Sequence, residues 1–508
     1  MFTPGVFSWA WFAHFLVAVW VLRLCWWMLL LWMLLVAFPV SVVLSVLRQW
    51  WSLRHIPANP RASFLLGDIP YMKDFQAHHQ KFHPQYGPIL LRRFGHVFVV
   101  SLGHPDYYTP VLQRYSNFTK GAYWQFIKPI MGTGLPMSEG QEWQRTRKLL
   151  NPPFSDASLG AIVPKIEPIA RNLVRKFQEG VDSQKVFNVE HEFMAFTYDV
   201  IMATTFSENP NTIFDSSNPI PMELDEALRI AHEMGSNPLH PARFFPTPSW
   251  RLLKTKARRV FEHMHEKVMK RMKETPAEAE KRSVDILDMM IAAADDAGNV
   301  DPVLLSDQAV SFVIGGQDTS SISLSWAVYY LSTKPEVYAS VMEEVERLYH
   351  PDEPLTSEKL QEYAYLEAFI KEVARHKPPS LAILRTVAED VVIKGYKIPK
   401  GTQMSIPVNA CNFHPDLWGE DTLEFRPERF LDSEFLKQQP HFSMMTFSGG
   451  PRRCIGEKFS MLEQKIVLLA LLYELRPISH DRKEPFSVPA FTLKTVDGVH
   501  ISFARRRP

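Results

Sequence analysis

The ten residues Phe447-Ser448-Gly449-Gly450-Pro451-Arg452-Arg453-Cys454-Ile455-Gly456 restrict this chain more than any other stretch. One cysteine stands among glycines and arginines, directly ahead of a run in which Phe459, Leu462, Ile466, Leu469 and Tyr473 recur at helical spacing. That spacing predicts a buried helix beginning just after the cysteine. The helix dipole and the guanidiniums of Arg452 and Arg453 would favour a thiolate at Cys454. A thiolate so placed is suited to ligate a haem iron axially. Gly450 and Gly456 would let backbone approach a flat macrocycle that a Cβ would obstruct. The plain alternative is an inert buried cysteine beside a glycine turn.

The chain has 508 residues, a formal net charge of +1 and three cysteines, Cys25, Cys411 and Cys454. The near-neutral balance gives no reason to expect nucleic acid as a partner. With no even cysteine framework, a disulfide-built secreted fold is unsupported and a reducing compartment is expected. Length alone suggests about three domains. The motifs from Trp143 to Gly456 must converge on one cofactor, however, which favours one large catalytic domain over residues 62–508.

Ahead of it, Val6 to Leu47 is almost wholly apolar, broken by His14 and Arg23. Leu24 to Leu47 is about 24 residues without a charge, ~36 Å as a helix, enough to cross a hydrocarbon core of ~30 Å. Pro39 would kink that helix without forbidding it. Residues 1–48 therefore read as a membrane anchor, too long for a signal peptide. Val6 to Leu22 could be a second span or lie in the interface. Arg48, Arg54 and Arg61 place the bulk of the protein in the cytosol. Residues 49–61, with Ile56-Pro57-Ala58-Asn59-Pro60, read as a stiff hinge.

Ile89 to Ser101 reads as a β-hairpin around Gly95. Trp143 and Arg147, four residues apart, place an indole N–H and a guanidinium on one helix face. Both only donate, which suits a buried anion such as a haem propionate, or else they form a stacked surface pair. Phe187 to Phe206 and Met222 to Met234 look helical. The loop Asn237 to Pro246 carries aromatics and precedes Trp250, Lys254, Lys256, Arg258 and Arg259. It could dip into a bilayer with those cations at the headgroups, or lead into an ordinary solvated helix. Ser306 is the expected cap of a long helix to about Ser332, with Asp307 in its first turn. Gly315-Gly316-Gln317-Asp318-Thr319-Ser320-Ser321 weakens its middle. Gly315 and Gly316 would give room over a flat cofactor, while Asp318 and Thr319 could relay protons to bound oxygen.

Together these stretches resemble the cytochrome P450 family. The loop matches its haem-binding Phe-x-x-Gly-x-Arg-x-Cys-x-Gly through Phe447, Gly450, Arg452, Cys454 and Gly456, and Gly315 to Ser320 matches its oxygen-activation motif. The resemblance implies a mainly α fold with small β-sheets and a haem b whose iron is ligated by the Cys454 thiolate. It also implies a buried structural network of Glu372, Arg375 and Arg429, with Arg385 and Arg452 as further propionate partners. Two departures stand out: His376-Lys377 ahead of Pro378-Pro379, and Asn412-Phe413-His414-Pro415 before Trp418. The hinge also lacks the glycine of microsomal members.

The implied function is a membrane-anchored monooxygenase of the endoplasmic reticulum. It would insert one atom of O2 into a lipophilic small molecule, with electrons from NADPH through cytochrome P450 reductase. Arg145, Lys148, Arg453 and Lys458 could steer that acidic partner or be ordinary surface charge. Tyr123 to Pro129, the Phe312–Gly315 face, Leu381 to Leu384 and Phe491-Thr492 are the expected apolar substrate contacts. A diffuse similarity to fungal enzymes points to specialised metabolism. Two rivals are a reductase-independent haem-thiolate isomerase or dehydratase and a non-enzymatic haem-binding membrane protein; a proton relay argues against both.

Overall fold

The computed structural model describes residues 9–60, 62–63, 66–70, 82–237, 240–243, 245–296, 298 and 300–507. The apolar N-terminus is helical from Trp9 to Trp32, passes through a π-helical turn at Met33–Ala37 and continues as Phe38–Leu53. Pro39 lies in the first turn of the second segment. The wider turn ahead of it accommodates the carbonyl that the missing proline N–H leaves without a donor. His14–Leu53 forms an unburied apolar helix of 40 residues, ~60 Å by its rise. It is a candidate membrane anchor, and residues 14–22 continue it without turning back. Beyond it, Leu53 and Ile56 are buried and the Leu91 N–H donates to Pro57 O at 2.6 Å, which ties this stretch to the sheet.

The expected hairpin forms, Ile89–Phe94 against Val97–Leu102, with Gly95 at φ +59° opening the turn. It is the edge of a five-stranded sheet that continues through Gln403–Pro407 and Ala382–Val387 to Phe118–Lys120. In the last pairing Lys120 lies directly opposite Arg385. A smaller core cluster fills the space between this sheet and the helix Pro105–Gln113.

The larger core surrounds the central helix Pro302–Thr333 and the C-terminal helix Glu457–Glu474. The C-terminal helix is apolar nearly all round and accordingly buried, with Leu462 and Tyr473 only half-buried. The central helix starts earlier than expected. Asp301 caps it, accepting from the Val303 N–H at 2.9 Å, and Pro302 occupies the first turn. Ser306 is an interior residue whose hydroxyl donates to Pro302 O at 2.6 Å, so it does not cap. Asp307 receives the N–H of Thr133 at 2.7 Å and its hydroxyl at 2.8 Å, holding a loop rather than facing the helix dipole.

Val189–Phe206 and Pro248–Met272 pack along the central helix, and Ile220–Ser236 packs against Pro248–Met272. Pro238, Leu239 and Phe244 of the aromatic loop lie outside the described residues, and Phe245 is exposed. On the basic helix, Lys256, Arg258 and Arg259 pair with Glu226, Glu262 and Glu223, each at 2.7 Å. Those three charges are partnered within the fold, as on a solvated helix.

Candidate active site

The cysteine loop is closed by its own backbone. Ser448 N–H donates to Met445 O at 2.9 Å, Cys454 N–H to Phe447 O at 2.9 Å and Arg453 N–H to Gly450 O at 3.0 Å. Gly450 sits at φ +69°, and a Cβ there would lie 2.5 Å from Leu112 O. The neighbouring helix is thus by itself a reason for glycine here, besides the flat ligand the sequence suggested. Gly456 differs. A Cβ on it would meet only Cys454 Sγ, at 3.9 Å, in ordinary contact. Packing within the protein leaves this residue free, and the demand for glycine falls on the sulfur's side of the loop.

Cys454 keeps accessible surface although it sits deep in the protein. Burial pushes its thiol up, opposed by the Gly456 N–H and the charges of Arg147 and Arg453. Arg453 flanks the sulfur as expected, but Arg452 does not; Arg147, arriving from the helix Gly140–Leu150, supplies the second guanidinium. Arg147 also donates to Arg453 O at 3.0 Å, which fixes that helix to the loop. In protein alone desolvation outweighs the cations. A metal bound to the sulfur reverses that balance, because coordination deprotonates a thiol outright.

Arg452 turns the other way. Its guanidinium donates to Ser138 O at 2.9 Å and Glu139 at 2.5 Å and lies 4.3 Å over the ring of Trp143, which is buried. Arg385 is buried beside it, donating to Leu384 O at 2.8 Å. Burial and the Arg452 charge lower Arg385 to about 10, with Glu139 opposing. Lys120, its cross-strand partner, is held well below the usual lysine range by burial, Arg385 and Arg452. Like charges directly opposite across strands destabilise a sheet. Lys120, Arg385 and Arg452 thus crowd around one carboxylate among the described residues, Glu139. The residues present fit a ligand that brings further negative charge, such as the propionates of a haem.

On the central helix, Gly315 and Thr319 share one face, and the Thr319 hydroxyl donates to Gly315 O at 2.5 Å. A Cβ at Gly315 would meet nothing within 4 Å, whereas one at Gly316 would lie 2.3 Å from Ile201 Cδ1. Only Gly315 borders open space; Gly316 is small so that Val189–Phe206 can approach. Asp318 points elsewhere. Its carboxylate accepts from the Thr492 hydroxyl and pairs with Lys494, whose ammonium also meets Asp225 at 3.1 Å. The structure does not bring Asp318 and Thr319 together as the sequence motif suggested, because adjacent helical residues point about 100° apart.

A profile described as Cytochrome P450 matches residues 57–499. The chain belongs to the cytochrome P450 family. It is similar to mouse cytochrome P450 4V2, at 28% identity over 92% of this chain and 93% of that protein. It is similar to mouse cytochrome P450 3A25 at 30% identity, covering 81% of this chain and 84% of that protein. Cytochromes P450 bind haem b through a cysteine thiolate and act as monooxygenases, and so does this one.

In this cytochrome P450 the expected charge network is assembled. Arg375 forks onto Glu372 at 2.7 and 2.9 Å, and Arg429 Nε reaches the same carboxylate at 3.1 Å, all three side chains fully buried. Burial works against the charge, yet the hydrogen bonds and charges of Arg375 and His376 hold Glu372 at about 2. His376, one of the departures from the family pattern, belongs to the network: its Nε2 lies 3.4 Å from Glu372 and 2.7 Å from Arg375. Lys377 pairs with Glu484 and covers Trp326 at 4.3 Å. Of the expected substrate contacts, Trp124 meets Phe491 edge-on and Phe312 packs on Phe154. Lys120, Glu139 and Lys494 were not singled out in the sequence. The strand pairing that sets Lys120 against Arg385 has no local signal.

Proposed function

We propose that this cytochrome P450 is a membrane-anchored enzyme that inserts one oxygen atom from O2 into a lipophilic small molecule. Electrons come from NADPH through cytochrome P450 reductase at the endoplasmic reticulum, in the service of specialised metabolism. The observation that carries the reading is the meeting of Cys454 with Arg147 and of Trp143, Lys120, Arg385 and Arg452 with Glu139. It offers a soft ligand for iron and a cationic pocket for two carboxylates. Cys454 would hold the iron, and Phe447 O and the Gly456 N–H would orient its sulfur. Trp143, Arg147, Lys120, Arg385 and Arg452 would bind the propionates, with Gly315 leaving room above. The bound haem supplies oxygen activation, which a thiolate ligand favours by donating electron density. Thr319 handles protons on the open face of the helix, and Asp318, one residue before it, contributes its charge while held by Thr492 and Lys494.

The exposed helix His14–Leu53 supports the membrane reading. For the reductase, Arg453 pairs with Glu457 at 2.5 Å and Lys458 with Asp156 at 2.7 Å, which leaves exposed Arg145 and Lys148 as the steering charges. The test is spectroscopic. Reduced holoenzyme under carbon monoxide should show the red-shifted Soret band of thiolate ligation, and Cys454→Ala should lose it. Retention of the band in that variant would refute the assignment. NADPH consumption on adding reductase tests the electron source, and an accumulated less-oxidised precursor in a strain lacking the protein would identify the substrate class.

A further inference from the structure

Two histidines from distant parts of the chain meet at a place that none of the roles above uses. His104 and His414 line one surface cavity of about 420 Å³, together with His83, Asp106, Tyr107 and Asp416. Their rings stand edge to face with centroids 5.2 Å apart. His414 belongs to one of the two departures from the family pattern, and it is buried. Each ring caps a helix in the same way. The Asp106 N–H donates to His104 Nδ1 at the start of Pro105–Gln113, and the Asp416 N–H donates to His414 Nδ1 at the start of Pro415–Trp418, both at 3.3 Å. A ring nitrogen accepts in this way only while the imidazole is neutral. A carboxylate stands beside the second cap, with Asp416 Oδ2 3.8 Å from the same Nδ1. The charged groups facing the pair are Asp106 and Asp416, both exposed, and Lys394, 3.6 Å from Asp106. Arg92 lies behind them and acts on His83. His83 is bonded to Gly87 O at 2.9 Å and Ser101 Oγ at 2.8 Å, and burial keeps it neutral, down to about 3. Burial lowers His414 too, with Asp416 opposing and His104 adding to the effect. Both capped segments hold the approach to the cysteine loop. From Pro105–Gln113, Tyr108 donates to Phe442 O at 2.9 Å and Leu112 O abuts Gly450. Just ahead of His414, the Asn412 side chain accepts from the Met445 N–H at 2.9 Å and donates to Thr446 Oγ1 at 3.0 Å.

We infer that the His104–His414 pair is an acid-sensitive switch on the cysteine loop. A proton taken from water onto Nδ1 of either ring removes the cap that ring makes. The imidazolium then donates to the carboxylate one turn of chain away, Asp416 for His414 and Asp106 for His104, and the cavity gives the rings room to swing. A second proton adds repulsion between the two rings. With their caps lost, both segments loosen their hold on Phe442, Met445, Thr446 and Gly450, and Cys454 loses the register in which it ligates iron. The direction follows from burial. His414 is held below its ordinary 6.5, so the fold binds fewer protons here than the unfolded chain does. Its contribution to stability is therefore complete above 6.5 and is lost as pH falls below that value. The inference rests on thiolate ligation of the haem by Cys454.

The test compares holoenzyme of the parent with His104→Asn, His414→Asn and the double variant, because asparagine caps a helix and does not titrate. Reduced under carbon monoxide at each pH, the parent should lose the thiolate Soret band reversibly below about pH 6.5, with a slope of about two protons. Either single variant should bring the slope to about one proton, and the double variant should keep the band to ~1 pH unit lower. Amide hydrogen exchange supplies a readout independent of the haem spectrum. Corrected for the intrinsic rate, exchange over residues 105–113 and 408–418 should rise about fivefold from pH 7.5 to 5.5 in the parent and stay level in the double variant. A double variant that loses the band at the parent's midpoint and slope overturns the inference, and so does exchange that rises equally in both proteins. If the double variant does not fold, the slopes of the single variants decide. A parent without the thiolate band at pH 7.5 would fail the ligation reading instead, and the exchange comparison would still report the switch.

Discussion

Around Glu372, the guanidiniums of Arg375 and Arg429 find a carboxylate and the backbone carbonyls of Asn412, Thr422, Glu424 and Trp418. Across the sheet, Lys120, Arg385 and Arg452 share Glu139 and the carbonyls of Ser138 and Leu384. The first cluster is fully buried and the second partly, with Arg385 buried and Lys120 and Glu139 half-buried, and both use long cationic side chains. The first has two carboxylates for its two guanidiniums, since Asp421 also lies 3.6 Å from Arg429, and is a structural brace. The second carries surplus positive charge in a low-dielectric setting, which a fold retains only where a ligand supplies the balance. The contrast separates the residues of the brace from those proposed to receive the cofactor.

The strongest way to break this comparison is Glu372→Gln, which strands two buried guanidiniums. It should cost about 3–5 kcal/mol in denaturant unfolding, enough to threaten folding itself. A loss no larger than that of a surface substitution would show that the brace is not one. Next in size, Arg385→Met or Lys120→Met should weaken haem retention by about tenfold, ~1.4 kcal/mol, read as the ratio of Soret to protein absorbance. The same variants should unfold later than the parent when both are stripped of haem, by ~0.2–1 kcal/mol, because a like-charge cross-strand pair is removed. A haem-free form destabilised by either change would assign the cluster to the brace.

The two regions should also differ in how they answer to pH. Glu372 titrates at about 2 in the fold and near ~4.3 unfolded, so its contribution is complete above ~4.3 and is lost as pH falls through about 2. Glu372→Gln should flatten that part of the acid unfolding curve. Arg385 has the opposite role. Its folded value of about 10 lies below its ordinary 12.5, so its charge opposes folding below about 10 and the penalty is relieved as pH rises above it. Arg385→Met should remove that alkaline gain. The smallest effect belongs to the two glycines beside the site. Gly316→Ala forces Ile201 aside and should cost about 1 kcal/mol, whereas Gly315→Ala meets nothing and should gain up to ~1 kcal/mol of helix propensity in the haem-free protein.

Local spacing made much of this cytochrome P450 legible. The cysteine loop, the hairpin at Gly95, the Trp143–Arg147 helix, the Glu372–Arg375 pair and the apolar N-terminus all depend on contacts within a few residues. The misplaced features depend on distant ones. Ser306 looked like a cap until Asp301-Pro302 supplied a better start. The need for glycine at 450 comes also from Leu112 O, 338 residues away in the chain, which a Cβ would meet at 2.5 Å. Asp318 looked like half of a relay until Lys494, from a hairpin far along the chain, claimed it.

Sequence by itself determined the class: a thiolate-bearing loop ahead of a buried helix, behind a long apolar helix, in an order that specifies the cytochrome P450 family. Tertiary structure alone decided which charges are neutralised and which are left over. Whether a buried lysine or carboxyl has a partner depends on side chains brought from hundreds of residues away, and desolvation acts only once they are packed. Lys120 opposite Arg385 is a consequence of packing that no local pattern records.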